Sequence, residues 1–200
     1  MNIFEDKNYI KKLNDDLKNG AVVCFVTDTV WGVGCLPTNK TGVDKIYQTK
    51  GRDRTKPLIL MSNKLDNLIP YTNGLSQKAQ ELANKYFPGA ITIIAEKSNL
   101  TPDFVSANKD TIGIRVPNNK FFSELCSVID GNVLATTSAN LSSQPSAKNY
   151  LQACAYLENG VDYIFPDCGF SCDGLESTVV LALDENIKIL RQGAVKITQS

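Results

Sequence analysis

Hydrophobic and polar positions switch between helical and strand periods along this chain, and the switches mark its elements. Residues 3–18 read as a polar helix with Ile3, Tyr9, Ile10, Leu13 and Leu17 along one side, stopped by Gly20. Residues 21–26 form an apolar run short enough for a buried strand, and 40–48 read as a helix with Val43, Ile46 and Tyr47 inward. A strand over 57–61 and a weak helical turn over 65–69 follow. The clearest helix covers 76–87, where Ala79, Leu82, Ala83 and Tyr86 repeat at helical spacing before Pro88 and Gly89 end it. Strands are predicted at 90–96 and 111–117, a helix at 120–129, and a strand at 133–137 that runs into Ser138-Ala139-Asn140. A helix over 147–158, a strand over 161–165 and closing strands over 178–183 and 187–190 complete the pattern.

This alternation predicts an α/β chain with a twisted, mixed, open sheet flanked by helices. The helices are too few and too irregularly placed for an eight-fold barrel. With no internal repeat and no biased linker, residues 1–200 are expected to form a single domain. The pattern leaves the strand order open.

Composition agrees with that picture: 42% hydrophobic and 21% charged residues are ordinary globular proportions. No apolar run approaches the roughly 18 residues of a membrane span, and the mixed-charge N-terminus does not resemble a signal peptide. Cytoplasmic placement without membrane contact is the expectation. Lys plus Arg equals Asp plus Glu, 21 each, so no global field draws nucleic acid. Locally the balance differs, because residues 50–56 hold four basic side chains against one acid. Such a patch on a neutral protein suits a phosphate-bearing small molecule better than a long polyanion, without excluding RNA. The six cysteines are scattered and read as reduced thiols. Cys168-x3-Cys172 is a candidate ligand pair or disulfide, but with no histidine and no second close pair it makes a poor zinc signature.

The absence of histidine also removes the commonest general base. No P-loop pattern occurs, and Gly32-x-Gly34 lacks the third glycine of a dinucleotide fingerprint. Serine, threonine, lysine and arginine must therefore act by positioning and charge neutralisation. Thr27-Asp28-Thr29 follows a buried strand, which fits either a ligand crevice or a turn with a helix cap. Lys50, Arg52, Arg54 and Lys56 form either a phosphate site or a solvated loop. Arg115 ends an apolar strand and needs an anion, either a structural carboxylate or a ligand. Ser138 and Asn140 suit a phosphate or ribose contact, or a plain cap. With Ser177-Thr178 and Arg191, five polar clusters fall at strand ends.

In this order, the clusters resemble the YrdC/TsaC family of L-threonylcarbamoyladenylate synthases. The matching segments are Val26 to Gly34, Lys50-Gly51-Arg52 with Lys56-Pro57-Leu58, Pro88 to Thr92, and Ile114 to Pro117. Ser138-Ala139-Asn140 with Pro145-Ser146, Ser177 to Val180, and Leu190 to Gly193 complete the set, so the resemblance runs over about residues 10–196. It implies a YrdC-like (YrdC/RibB-like) fold with a concave ligand cavity. The implied activity is a nucleotidyltransferase that condenses L-threonine, bicarbonate and ATP, with Mg2+, into threonylcarbamoyl-AMP and pyrophosphate. That is the first step of N6-threonylcarbamoyladenosine formation at position 37 of ANN-decoding tRNAs. Hand-off of the product to a threonylcarbamoyl transferase complex and weak tRNA contact are implied as well.

By match of motif, the ATP side takes Lys50, Arg52, Lys56, Thr111, Ser138, Asn140, Ser146 and Arg191, with Lys50 and Arg52 catalytic. The threonine side takes Thr29, Met61, Arg115, Thr136 and Ser177, and no protein metal ligand is implied. Arg115 is then the clamp on the threonine carboxylate. Val26, Trp31 and Gln192 depart from the family's proline, tyrosine and proline, and none of these changes removes a charge. Two other readings remain: a non-catalytic RNA-binding factor of translation or ribosome assembly, and a carbamoyltransferase domain that handles carbamoyl phosphate.

Overall fold

The first helix starts where the sequence supplies a cap. In the computed structural model, which describes residues 3–197, the Asp6 carboxylate accepts from the amides of Asn8 and Tyr9 and opens α1, Lys7–Lys18. The expected 3–18 helix is therefore split, with a 3-10 turn over Ile3–Glu5 ahead of the cap. Side-chain caps also open α2 (Lys40–Lys50) from Asn39, α3 (Gln77–Tyr86) from Ser76, α5 (Lys120–Val128) from Asn119 and α6 (Tyr150–Leu157) from Asn149. A short α4, Asp103–Ser106, has no periodicity long enough to be read from sequence.

The strands are β1 (Val23–Phe25), β2 (Gly32–Cys35), β3 (Ile59–Ser62), β4 (Ile91–Glu96) and β5 (Thr111–Arg115). They continue with β6 (Val133–Ser138), β7 (Tyr163–Ile164), β8 (Thr178–Leu181) and β9 (Lys188–Arg191). All join one sheet in the order β7-β1-β2-β6-β3-β5-β4-β8-β9. The pairs β1/β7, β3/β5 and β4/β8 are parallel and the other five antiparallel, so the sheet is mixed, as the pattern predicts. The described residues form one α/β unit; residues 1, 2 and 198–200 of the expected domain lie outside the description.

Strand alternation then creates the ligand face. Leu60, Ile91, Ile93, Ile112, Ile114 and Val180 are fully or almost fully buried and belong to the hydrophobic core. Their neighbours Ile59, Met61, Thr92, Ile94, Arg115 and Val179 line a cavity instead. Gly113 shares that second face. A Cβ there would lie 2.7 Å from Ile59 Cγ2 and 3.1 Å from Ile94 Cδ1, so the missing side chain lets these two residues close the cavity floor.

Candidate active site

The cavity encloses about 490 Å3 and gathers strand ends with two loops. That volume is within the range of small-molecule sites. On one side, α2 delivers Lys50 at its last turn, and Gly51, at φ +57°, reverses the chain in the left-handed region. Lys50 is almost fully buried, and its Nζ donates to the carbonyl of Ser138, the carbonyl of Asn140 at 2.5 Å and Asn140 Oδ1 at 3.1 Å. Ser138 Oγ donates to the same Oδ1 at 2.6 Å, so the lysine organises the whole Ser138–Asn140 turn. Burial, with the nearby Arg52 charge second, pushes the Lys50 pKa down to about 7.

Arg52 leans on two carbonyls: Nε donates to Lys56 O at 3.3 Å and Nη2 to Pro57 O at 3.0 Å. Burial lowers its pKa too, as expected for a cation held without a carboxylate bonded to it. Arg54 goes elsewhere. It pairs with Asp44 at 2.6 Å and lies over the Tyr47 ring, outside the cavity. The basic loop thus divides into cavity cations and a surface pair.

On the other side, Thr27 Oγ1 donates to Val30 O at 2.6 Å and accepts from the Thr29 amide at 3.2 Å, which closes the Thr27–Val30 turn. Arg115 supports this turn from β5. Its Nη1 donates to Thr29 Oγ1 at 2.8 Å, Nη2 to Asp28 Oδ1 at 2.5 Å and Nε to Gly89 O at 3.1 Å. The anion that Arg115 requires is therefore already present as Asp28. Burial still lowers the arginine pKa, with Asp28 opposing.

The third wall combines β8 and β9. Arg191 Nη1 pairs with Glu176, whose Oε1 accepts from Ser146 Oγ at 2.7 Å. Ser177 Oγ shares a hydrogen bond of 2.9 Å with Thr92 Oγ1. Gln192, one of the departures, donates to Val195 O at 2.7 Å and helps close the last described turn.

Thr29, Lys50, Arg52, Lys56, Met61, Arg115, Thr136, Ser138, Asn140, Ser177 and Arg191 all line this one cavity. Thr111 and Ser146 do not. Thr111 opens β5 opposite Glu96, on the Arg115 face but about 13 Å away by strand rise, while Ser146 reaches the cavity only through Glu176. Lys109, Ser142, Ser143 and Glu176 also line the cavity, though no motif singled them out. Glu176 had a signal available: it directly precedes Ser177 at the mouth of β8.

A protein-family model, Sua5/yciO/yrdC, described as telomere recombination, matches residues 15–193. The chain belongs to this Sua5/YciO/YrdC family. A Methanocaldococcus jannaschii relative is 32% identical over 197 residues, spanning 98% of this chain and 91% of its own. The Bacillus subtilis threonylcarbamoyl-AMP synthase is 33% identical over 180 residues, 90% of this chain and 51% of its own. Among solved structures, Pyrococcus abyssi Sua5 complexed with L-threonine superposes with a TM-score of 0.86 at 26% identity, over 94% of this chain and 55% of that one. The chain thus spans about half of these two longer Sua5/YciO/YrdC proteins. No described helix is long and apolar enough to cross a membrane, and no cluster of three metal-binding side chains occurs among the described residues.

A Lys50 pKa near 7 predicts a pH-dependent anion affinity. Phosphates bound beside it would raise that pKa, so above about pH 7 a complex would hold a proton that the free protein has released. Anion affinity is therefore expected to fall as pH rises. Calorimetry with ATP near about pH 8, in buffers of different ionisation enthalpy, is expected to show uptake of close to one proton. Lys50→Arg, charged throughout, should show none; an affinity flat with pH in the wild type would contradict this assignment.

Proposed function

We propose that this chain is an L-threonylcarbamoyladenylate synthase. The observation that carries the reading is one cavity lined, among the described residues, by six cationic side chains and one carboxylate, with the Thr27–Val30 turn and Arg115 on one side and Lys50, Arg52 and Lys56 on the other. That division suits an amino acid next to a triphosphate. In the reaction, the threonine amine attacks the carbon of bicarbonate or CO2, losing a proton, and with bicarbonate a water leaves. A carbamate oxygen then attacks the α-phosphorus of ATP, and the bond to pyrophosphate breaks.

Each residue's role follows from its chemistry. The unused N–H groups of Arg115, with Thr29 and Ser177, hold the threonine carboxylate and hydroxyl. Met61 and Thr136 form the neighbouring floor. Lys50, Arg52, Lys56 and Arg191 neutralise charge that builds on the phosphoryl oxygens and the leaving pyrophosphate, where preorganised donors are most effective. Ser138 and Asn140 present the turn that faces the nucleotide. Among the described residues Glu176 is the one cavity carboxylate, so the donor set suits magnesium arriving as MgATP, held mainly by the phosphates. Such an ion would offset phosphate charge. In a cytoplasmic setting the product would pass to a threonylcarbamoyl transferase complex for tRNA modification.

Pyrophosphate release from ATP tests the reading. Release is expected only when L-threonine and bicarbonate are both present. ATP turnover indifferent to threonine, or none from folded protein with transferase partners added, would contradict it.

A further inference from the structure

Among the described residues Glu176 is the one acid beside the cavity cations, and it occupies donors suited to an anion. Its carboxylate takes Ser146 Oγ at 2.7 Å on one oxygen and Arg191 Nη1 on the other. The Arg191 guanidinium and the Ser146 backbone are both held by groups other than the Glu176 carboxylate. Arg191 is oriented by the Ser177 carbonyl, to which Nε and Nη2 donate at 3.2 and 2.8 Å. Ser146 precedes Ala147, whose amide donates to Ala139 O at 2.9 Å and whose carbonyl accepts from the Trp31 amide at 2.9 Å. The Glu176 backbone is fixed as well: its carbonyl accepts from the Ala194 amide at 3.0 Å, and the Gly174 amide two residues earlier donates to Thr29 O at 2.7 Å. Only the glutamate side chain, 37% exposed, is left to move.

We propose that Glu176 is an internal competitor for the polyphosphate, filling the Arg191 and Ser146 donors until an incoming anion exchanges with it. The anion's identity as ATP rests on the synthase reading; the exchange itself applies to any polyphosphate that uses Arg191. Once displaced, the carboxylate turns to solvent while both donors stay in place. The empty site therefore keeps its arginine ordered and partly neutralised. The Glu176 charge also raises the proton affinity of Lys50 and Arg52, so its field reaches the whole phosphate wall.

Glu176→Gln keeps the side chain's size and removes its charge. The pair is half-exposed, so the expected gain is modest: about 3- to 10-fold tighter binding of ATP and of inorganic pyrophosphate at low salt without divalent metal. The gain should shrink at higher ionic strength. L-threonine affinity and thermal melting serve as controls and should barely change. Equal or weaker anion binding by a normally melting Glu176→Gln protein overturns the proposal. If that variant does not fold, Glu176→Asp, too short to span both donors, must itself bind pyrophosphate more tightly than wild type, and unchanged binding overturns the proposal. Wild-type protein that binds pyrophosphate but not ATP contradicts the synthase reading, while the pyrophosphate comparison still decides the exchange.

Discussion

Arg115→Met is expected to cost both stability and threonine binding. The substitution leaves the Asp28 carboxylate without its partner at 2.5 Å and strips donors from Thr29 Oγ1 and Gly89 O. Arg115 is 2% exposed, so little water reaches the gap. Breaking a buried pair from one side costs about 3–5 kcal/mol, because the stranded charge, more than the lost attraction, sets the penalty. For a chain of this size that corresponds to roughly a 10 °C fall in melting temperature. Asp28→Asn combined with Arg115→Met should recover part of the melting loss but none of the threonine affinity. That separates the arginine's support of the Thr27–Val30 turn from its contact with ligand. Melting within a degree or two of wild type would refute the structural half, and unchanged threonine affinity the other.

Arg52→Ala is expected to have the opposite profile. Its guanidinium rests on the Lys56 and Pro57 carbonyls, and Tyr47 Oη still donates to Lys56 O at 2.8 Å after truncation. No carboxylate is stranded, so stability should change by about 1 kcal/mol or less. Catalysis should suffer far more, because a donor aimed at developing phosphoryl charge is worth about 10²- to 10³-fold in rate. Steady-state kinetics should show kcat falling with kcat/KM, the mark of an interaction made in the transition state. A rise in KM alone would reduce Arg52 to a ground-state contact. A drop in rate that tracks lost melting temperature would remove it from the chemistry.

The contrast between these two arginines shows where sequence reading reaches and where it stops. Arg115 at a strand end demanded an anion, but one-dimensional spacing could not choose between Asp28, 87 positions away, and a ligand. Strand packing made that choice. The basic loop looked uniform as a charge run, yet Asp44 on α2 removed Arg54 from it. Most elements were legible because their apolar periods are strong, as in α3, and because Asn or Ser caps set their starts.

β2 was missed for a reason that bears on the site. Its residues, Gly-Val-Gly-Cys, include two glycines and a single β-branched side chain, too little for a strand signal. In the sheet, a Cβ on Gly32 would lie 2.8 Å from the Phe25 ring and one on Gly34 2.9 Å from Thr136 Cγ2, so close packing of β1 and β6 excludes side chains there. The same glycines that hid the strand bring the Thr27–Val30 turn beside Ser138. Thr111 shows what a motif match leaves out, since it carries no strand rise and so does not say how far along β5 the residue stands from Arg115. Glu176 went unweighed because an acid beside a phosphate-binding pattern looks unhelpful until its partners, Ser146 and Arg191, are seen.

The most direct test of the central claim is to follow the product itself. The protein would be incubated with ATP, magnesium, L-threonine and 13C-bicarbonate, and the adenylate fraction analysed by mass. The account predicts a threonylcarbamoyl-AMP species that carries the label, is absent without threonine, and forms in step with pyrophosphate. An adenylate without the label, or labelled product that persists when threonine is omitted, would contradict it.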